Sequence, residues 1–337
     1  MLPFSYQKPA NVDGAIALGR NDRREPTRAN AQFIAGGTNM LDYMKLGVTR
    51  PAELIDLNGL EESELRSVTV SDRQIRLGAL SRMAEVEDNK DIQQRAPVLT
   101  DSLRLAASRQ IRNMASIGGN VLQRTRCEYF RETSWPCNRR NPGSGCAALE
   151  GFNRQHAVLG GSDACIATYH GDFAQALVAL DAIVEVAGHG GKRRIAFADL
   201  HRLPADTPEI ETNLQADDVI TAITIPIEPW MTRSRYLKIR DRQSYAFALA
   251  SVAVALDVAD GRVRDVRIGL GGLATVPWRA REAEEALKGQ TLNEEMATKA
   301  AASAFAGAKS RQHNAFKIAL GQQTLVRALL ETNDMRV

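Results

Sequence analysis

All the cysteine of this chain falls in one stretch, beside a pair of glycines. Between Ala115 and Asp172 stand Ile117-Gly118-Gly119-Asn120, then Cys127, Cys137, Cys146 and Cys165, with no other cysteine in the 337 residues. Trp135-Pro136, Asn141-Pro142 and Gly143-Ser144-Gly145 lie among the first three, and such pairs mark turns and loops. Four sulfurs on an irregular loop next to a glycine turn predict two neighbouring features. One is a thiolate-held inorganic centre, the other a backbone cradle for an anionic cofactor.

Nine, eight and eighteen residues separate successive cysteines. A zinc site normally includes a ligand pair about two to four residues apart, and this loop has none. Disulfides suit secreted chains, but the start Met1-Leu-Pro-Phe-Ser-Tyr-Gln-Lys8 lacks the segments of a signal peptide. A [4Fe–4S] cluster accepts four thiolates from scattered loop positions, so spacing favours iron–sulfur over zinc. The bland alternative, four buried free thiols, is weakened by their gathering in one place. A loop of about forty residues without regular structure is unusual unless functional or cross-linked, so a cluster is expected to staple it.

A second glycine pair stands in Ala35-Gly36-Gly37-Thr38-Asn39, after an apolar strand at 31–35 and before a helix at 40–46. Glycines let the backbone turn sharply, and successive N–H groups then point outward to hold a pyrophosphate. A lone Gly-Gly-Thr is more often an empty turn, and this is neither a Rossmann fingerprint nor a Walker loop. Two such turns, each flanked by Ser or Thr and by Asn, predict two walls around one diphosphate.

The remaining pattern is mixed α and β. Strands are expected at 4–6 and 53–57, and a helix opens at Asn11 and runs through Leu18. Asn21–Arg28 reads as loop, and 68–80 as a hairpin. Helices follow at 82–88, with Ser81 as N-cap, and at 97–107. Strand pieces are expected at 157–161 and 164–167, and Asp172 at a helix start. Residues 182–186 and 193–197 read as a hairpin, and 219–225 as the next strand. After a linker at 226–229, three strands (235–240, 246–258, 263–273) around the Asp260-Gly261 turn precede helices at 280–287, 293–306 and 314–330. The division is 1–228, with an iron–sulfur loop at 121–166, and 229–337.

Composition excludes several classes. Net charge is +3 and aromatics are 5%, which argues against a nucleic-acid surface or stacking platform. No apolar run spans a bilayer, so no membrane insertion is expected. The five histidines include no metal-spaced pair. The chain reads as cytoplasmic, or periplasmic if exported folded with a signal-bearing partner.

Taken together, Ala35–Asn39, Ile75-Arg-Leu-Gly-Ala-Leu80, Gln110–Asn113 with Ile117–Asn120, Gly171-Asp172 before Ala176–Ala182, and Lys238-Ile-Arg240 resemble the FAD-binding subunit of the xanthine oxidase family of molybdenum hydroxylases. The resemblance covers nearly the whole chain. Leu122–Cys127, Trp135–Arg139, Pro142–Gly151 and Arg154–Ala157 are similar to the flavin subunits of bacterial periplasmic aldehyde oxidoreductases, which carry an extra [4Fe–4S] cluster.

That resemblance implies an α+β fold: a two-part FAD-binding domain of the vanillyl-alcohol-oxidase (PCMH) type, then a small C-terminal α+β domain of three strands plus helices. It implies that Gln32, Phe33, Ile34, Ala35, Gly36, Gly37, Thr38, Asn39 and Met40 form the first FAD loop. Ser116, Gly118, Gly119 and Asn120 form the second. Asp172 would bind the adenosine end, and Lys238, otherwise an ordinary strand lysine, would sit near the flavin ring. Cys127, Cys137, Cys146 and Cys165 would ligate the cluster. No residue of this chain would be catalytic. The implied partners are a large subunit with a molybdenum cofactor, a small subunit with [2Fe–2S] clusters, and an external electron acceptor. Alternatives are the flavin subunit of a hydroxylase acting on N-heterocycles or aromatic acyl-CoA, or a zinc-stapled scaffold.

Overall fold

The computed structural model describes residues 1–20 and 24–337. Part of the loop expected at Asn21–Arg28 therefore lies outside the described residues, and Pro26–Arg28 forms a single 3-10 turn. Strand β1 (Ser5–Gln7), helix α1 (Val12–Gly19), β2 (Ala31–Ile34), α2 (Met40–Leu46) and β3 (Glu53–Asp56) build the first unit. β1 and β2 both pair in parallel with β3 in a three-stranded sheet. Asn11 caps α1 by accepting from the Gly14 amide at 2.8 Å, and Gly47, at φ +71°, ends α2 in a left-handed turn.

A second sheet has the order β4-β5-β8-β6-β7 and is antiparallel: β4 (Val68–Val70), β5 (Gln74–Gly78), β6 (Ile183–Gly188), β7 (Gly191–Ala196) and β8 (Val219–Pro226). Between β5 and β6 come α3 (Met83–Asp88), α4 (Lys90–Arg95), α5 (Pro97–Arg104), α6 (Arg109–Met114), α7 (Ile117–Val121), α8 (Glu128–Arg131) and α9 (Phe173–Ala179). Every residue of α9 is buried, and with α5 it forms the centre of the main core.

The C-terminal sheet has four strands, not three. Its order is β12-β11-β10-β9, from β9 (Ser234–Ile239), β10 (Ala250–Ala259), β11 (Arg262–Gly271) and β12 (Trp278–Arg279). The fourth is two residues long, too short to show alternation in sequence. α10 (Arg281–Leu287), α11 (Glu294–Ala304) and α12 (Phe316–Asn333) cover one face. β10 is buried on both faces: Val252, Val254 and Leu256 enter the C-terminal core, while Ala253 and Ala255 enter the main core. Small residues there let α9 approach closely. A Cβ on Gly269 would meet the Gln175 carbonyl at 2.2 Å.

Two local expectations are corrected. Ser81 does not cap α3; its hydroxyl donates to the Gly78 carbonyl at 2.7 Å, while Glu85 accepts from the Arg82 amide at 3.0 Å. The apolar runs at 157–161 and 164–167 are not strands. They are irregular segments, with one isolated bridge from Leu159 to Ala274, whose neighbouring amides bond across to the loop after β11, with Val158 donating to Leu273 and Tyr169 to Ala274. The cysteine loop contains α8 and a Cys137–Cys146 antiparallel bridge. It is held by protein bonds as well: Arg131 grips Asp42, Arg154 grips Asp241, and the buried Lys317 donates to the Gln155 and His156 carbonyls.

Candidate cofactor cleft and cysteine cavity

A cleft of about 240 Å³ opens between the first unit and the second sheet. Gln32 to Met40, Ser116, Gly118 and Gly119 line it, so the structure brings both glycine turns to one site. Gly36 makes this possible: a Cβ there would lie 2.0 Å from the Met114 carbonyl oxygen, so only glycine lets the two turns touch. Gly37 supplies the turn itself, at φ +73°.

The first turn has the chemistry of an anion cradle. Among the described residues, the backbone amides of Gly36, Gly37, Thr38 and Asn39 donate to no protein group. Unpaired amides in succession at a helix entry favour a phosphate oxygen. Gln32 acts differently. Its side-chain amide is buried and donates to the Ala29 carbonyl at 3.0 Å and Thr49 at 3.2 Å, bracing the floor.

The second turn contributes a wall more than donors. Its amides are spent locally, Gly118 on the Ala79 carbonyl at 2.8 Å and Gly119 on Ser116 Oγ at 3.2 Å. Ser116 accepts in that bond, which leaves its hydroxyl proton to donate. Asn120 follows in α7 and does not line the cleft.

Asp172 and Lys238 are brought together but not to the cleft. Lys238 Nζ lies 2.8 Å from Asp172 Oδ2 and 2.9 Å from the Leu105 carbonyl, and Tyr236 bonds the other carboxylate oxygen at 2.8 Å. Both charged groups are buried, and neither lines the cleft. Opposite charges removed from water must satisfy each other, which a sequence pattern does not reveal. Burial pushes the Asp172 carboxyl above its ordinary range, opposed by the Lys238 ammonium.

Cys127, Cys137, Cys146 and Cys165 surround one small cavity, together with Phe130, Asn138 and Arg139. None is in a disulfide. Burial raises the Cys127, Cys137 and Cys146 thiols, opposed by nearby backbone amides: Phe130 and Tyr129 at Cys127, Arg140 and Arg139 at Cys137, Ala148 and Ile166 at Cys146. Ala167 donates to Cys165 Sγ at 3.4 Å. Donors of this kind stabilise thiolates and tune iron–sulfur centres. Without such a centre, burial pushes the Cys127 thiol up to about 12. Among the described residues, no three His, Cys, Asp or Glu side chains are already drawn together as metal ligands. The donor set fits a cluster with four thiolate ligands.

Sequence reasoning missed the charged wall of the cleft. Arg124, Arg139 and Glu211 line it, with Glu211 Oε1 2.6 Å from Arg124 Nη2 and Oε2 3.1 Å from Arg139 Nη1. Burial raises the Glu211 carboxyl, but the two guanidinium groups outweigh it and hold the group below its ordinary value. Arg124 and Glu211 are 87 positions apart, and no motif joins them.

The chain belongs to the FAD-binding subunits of the molybdenum hydroxylases. Residues 2–228 match the family described as the FAD binding domain in molybdopterin dehydrogenase, and residues 235–332 the CO dehydrogenase flavoprotein C-terminal domain. The aldehyde oxidoreductase FAD-binding subunit PaoB of Escherichia coli (strain K12) is 44% identical over 335 residues, covering 98% of each chain. The glyceraldehyde dehydrogenase medium chain of Sulfolobus acidocaldarius is 25% identical, over 87% of this chain and 84% of its own. Among solved structures, reconstituted CO dehydrogenase from Oligotropha carboxidovorans superposes with a TM-score of 0.75 at 24% identity, over 98% of this chain and 99% of that one, which supports the fold. The chain is thus the flavoprotein subunit of an oxidoreductase of the aldehyde oxidoreductase type, and FAD is its cofactor.

Proposed function

We propose that this chain is the FAD- and [4Fe–4S]-bearing electron-transfer subunit of a heterotrimeric aldehyde oxidoreductase. In that assembly a large subunit with a molybdenum cofactor converts aldehyde to carboxylic acid. A small subunit passes electrons through [2Fe–2S] clusters to this chain, which releases them to an external acceptor. The observation that carries the aldehyde assignment is the 44% identity to PaoB across the whole length. Several more distant relatives are medium chains, which supports larger and smaller partners. The four cysteines around one cavity, with the Ala167 amide donating to Cys165 Sγ, support the cluster. Export of the folded assembly beside a signal-bearing partner belongs to the same proposal.

FAD supplies the exchange between one- and two-electron chemistry, and the protein supplies position and electrostatics. The free amides of Gly36 to Asn39 would hold the diphosphate, Ser116 would donate its hydroxyl from the opposite wall, and the apolar Ile34 and Leu80 would exclude water beside them. No side chain need act as acid or base on the aldehyde, because the aldehyde reacts on another subunit.

The test is anaerobic mixing of the co-purified complex with a simple aldehyde. Bleaching of the flavin absorbance supports the assignment. Bleaching by an N-heterocycle and not by any aldehyde favours the second reading, in which the chain serves a hydroxylase like the nicotine 6-hydroxylase whose medium subunit is 29% identical.

A further inference from the structure

The cleft and the cysteine cavity share a wall, and Arg139 stands in it. It is 7% exposed and lines both spaces, sharing the cysteine cavity with Cys165 on one side. On the other side its Nη1 is 3.1 Å from Glu211 Oε2. Glu211 continues to Arg124, whose guanidinium covers the Phe130 ring at 4.6 Å, and Phe130 also lines the cysteine cavity. Two cations and one anion leave one net positive charge in this wall. The Arg139 Nε–H is buried and donates to nothing among the described residues. A buried donor without a partner is costly, so an anionic acceptor is expected beside it.

We propose that Arg139 is a positioning residue that couples the two sites: one guanidinium, fixed by Glu211, sets both the reduction potential of the cluster in the cysteine cavity and the affinity of the cleft for the dinucleotide. The proposal rests on the iron–sulfur reading above. Its physical basis is the low dielectric of a buried wall, where a unit charge against a sulfur is weakly screened. Reduction adds one electron, and so one negative charge, to an anionic cluster. A neighbouring cation favours that state, and its removal lowers the midpoint potential. On the cleft side, Glu211 deprived of one partner turns uncompensated negative charge toward an anionic dinucleotide. Coupling of this kind is reciprocal, so an event in either cavity is felt in the other.

The experiment compares wild type, Arg139→Gln and Arg139→Lys in the co-purified complex. Iron is counted, the cluster is titrated with dithionite under electron paramagnetic resonance, and flavin affinity is read by fluorescence. In Arg139→Gln, iron stays, the midpoint becomes more negative, and the flavin dissociation constant rises several-fold. Arg139→Lys keeps the charge and returns the midpoint toward wild type. An unchanged midpoint with iron intact overturns the proposal, as does a change in flavin affinity alone. If Arg139→Gln loses its iron, Glu211→Gln decides, because none of the contacts made by Glu211 is to a cysteine. Its midpoint must move positive, and an unmoved value overturns the coupling. Iron-free wild type would instead remove the cluster reading, a result separable from all of these.

Discussion

Arg126 Nη2 lies 2.7 Å from Asn39 Oδ1, joining the first glycine turn to the head of the cysteine loop. The same guanidinium donates to the Tyr43 hydroxyl at 2.8 Å, and that hydroxyl also accepts from the Arg124 amide at 3.0 Å. The cradle is therefore held from the cysteine side. Arg126→Met removes bonds from a charged donor, each worth about 1.5–3 kcal/mol when made. Flavin affinity should fall at least tenfold, measured by fluorescence titration. An unaltered dissociation constant would mean the turn holds its shape unaided.

Gly36→Ala tests the contact between the two turns. The added methyl would meet the Met114 carbonyl backbone, which cannot swing away. The expected cost is about 1–3 kcal/mol of stability together with loss of bound flavin. Gly190→Ala is the control, since a Cβ there meets nothing within 4 Å and its φ is unrestricted. The flavin-to-protein ratio of the two purified variants separates them.

The Lys238–Asp172 pair joins the start of α9 to β9. With the side chains 1% and 5% exposed, removing one partner leaves a buried charge alone. Lys238→Met should destabilise by about 3–5 kcal/mol in urea unfolding, and adding Asp172→Asn should recover part of the loss. Equal stability of the single and double variants would contradict a buried ion pair.

The early glycine turn was legible because its chemistry is local: Gly36 and Gly37 fix a turn, and apolar runs on both sides fix a strand and a helix. Helix starts with their own cap, such as Asn293, whose side chain accepts from the Met296 amide at 2.9 Å, were legible for the same reason. Ser81 misled because its hydroxyl finds a nearer carbonyl in the turn before it. The runs near Val158 and Ala167 misled because burial explains their apolar character, with only the isolated Leu159–Ala274 bridge as pairing. The resemblance implies Asp172 and Lys238 as cofactor contacts; in the structure their charges pair with each other, a contact that no sequence window displays. The Arg124–Glu211–Arg139 wall exists only after the chain has closed on itself, so no window of sequence contains it.

Acid should weaken the fold through buried imidazoles. Burial lowers His201 to about 4 and His170 to about 3. His201 sits edge-on to Tyr169 and Phe197 and donates to the Val121 carbonyl at 2.9 Å; His170 Nδ1 accepts from the Arg126 amide at 3.3 Å. The unfolded chain binds these protons near pH 6.5 and the folded chain does not. Their contribution is therefore complete above about pH 6.5 and is lost as pH falls toward the folded values, with a slope approaching about 1.4 kcal/mol per pH unit for each. Urea midpoints between about pH 7.5 and pH 5 should fall, and less steeply in His170→Gln. A flat profile would show that these rings charge freely in the folded state.

On the function proposed, one chain holds a flavin dinucleotide on its glycine turns and an iron–sulfur core in its cysteine cavity. The decisive experiment is to quantify flavin, iron, acid-labile sulfide and zinc in the purified complex. The expected result is about one FAD, about four irons and about four sulfides for each copy of this chain, beyond those of its partners. Flavin-free protein, or zinc in place of iron on the four thiolates, would contradict it.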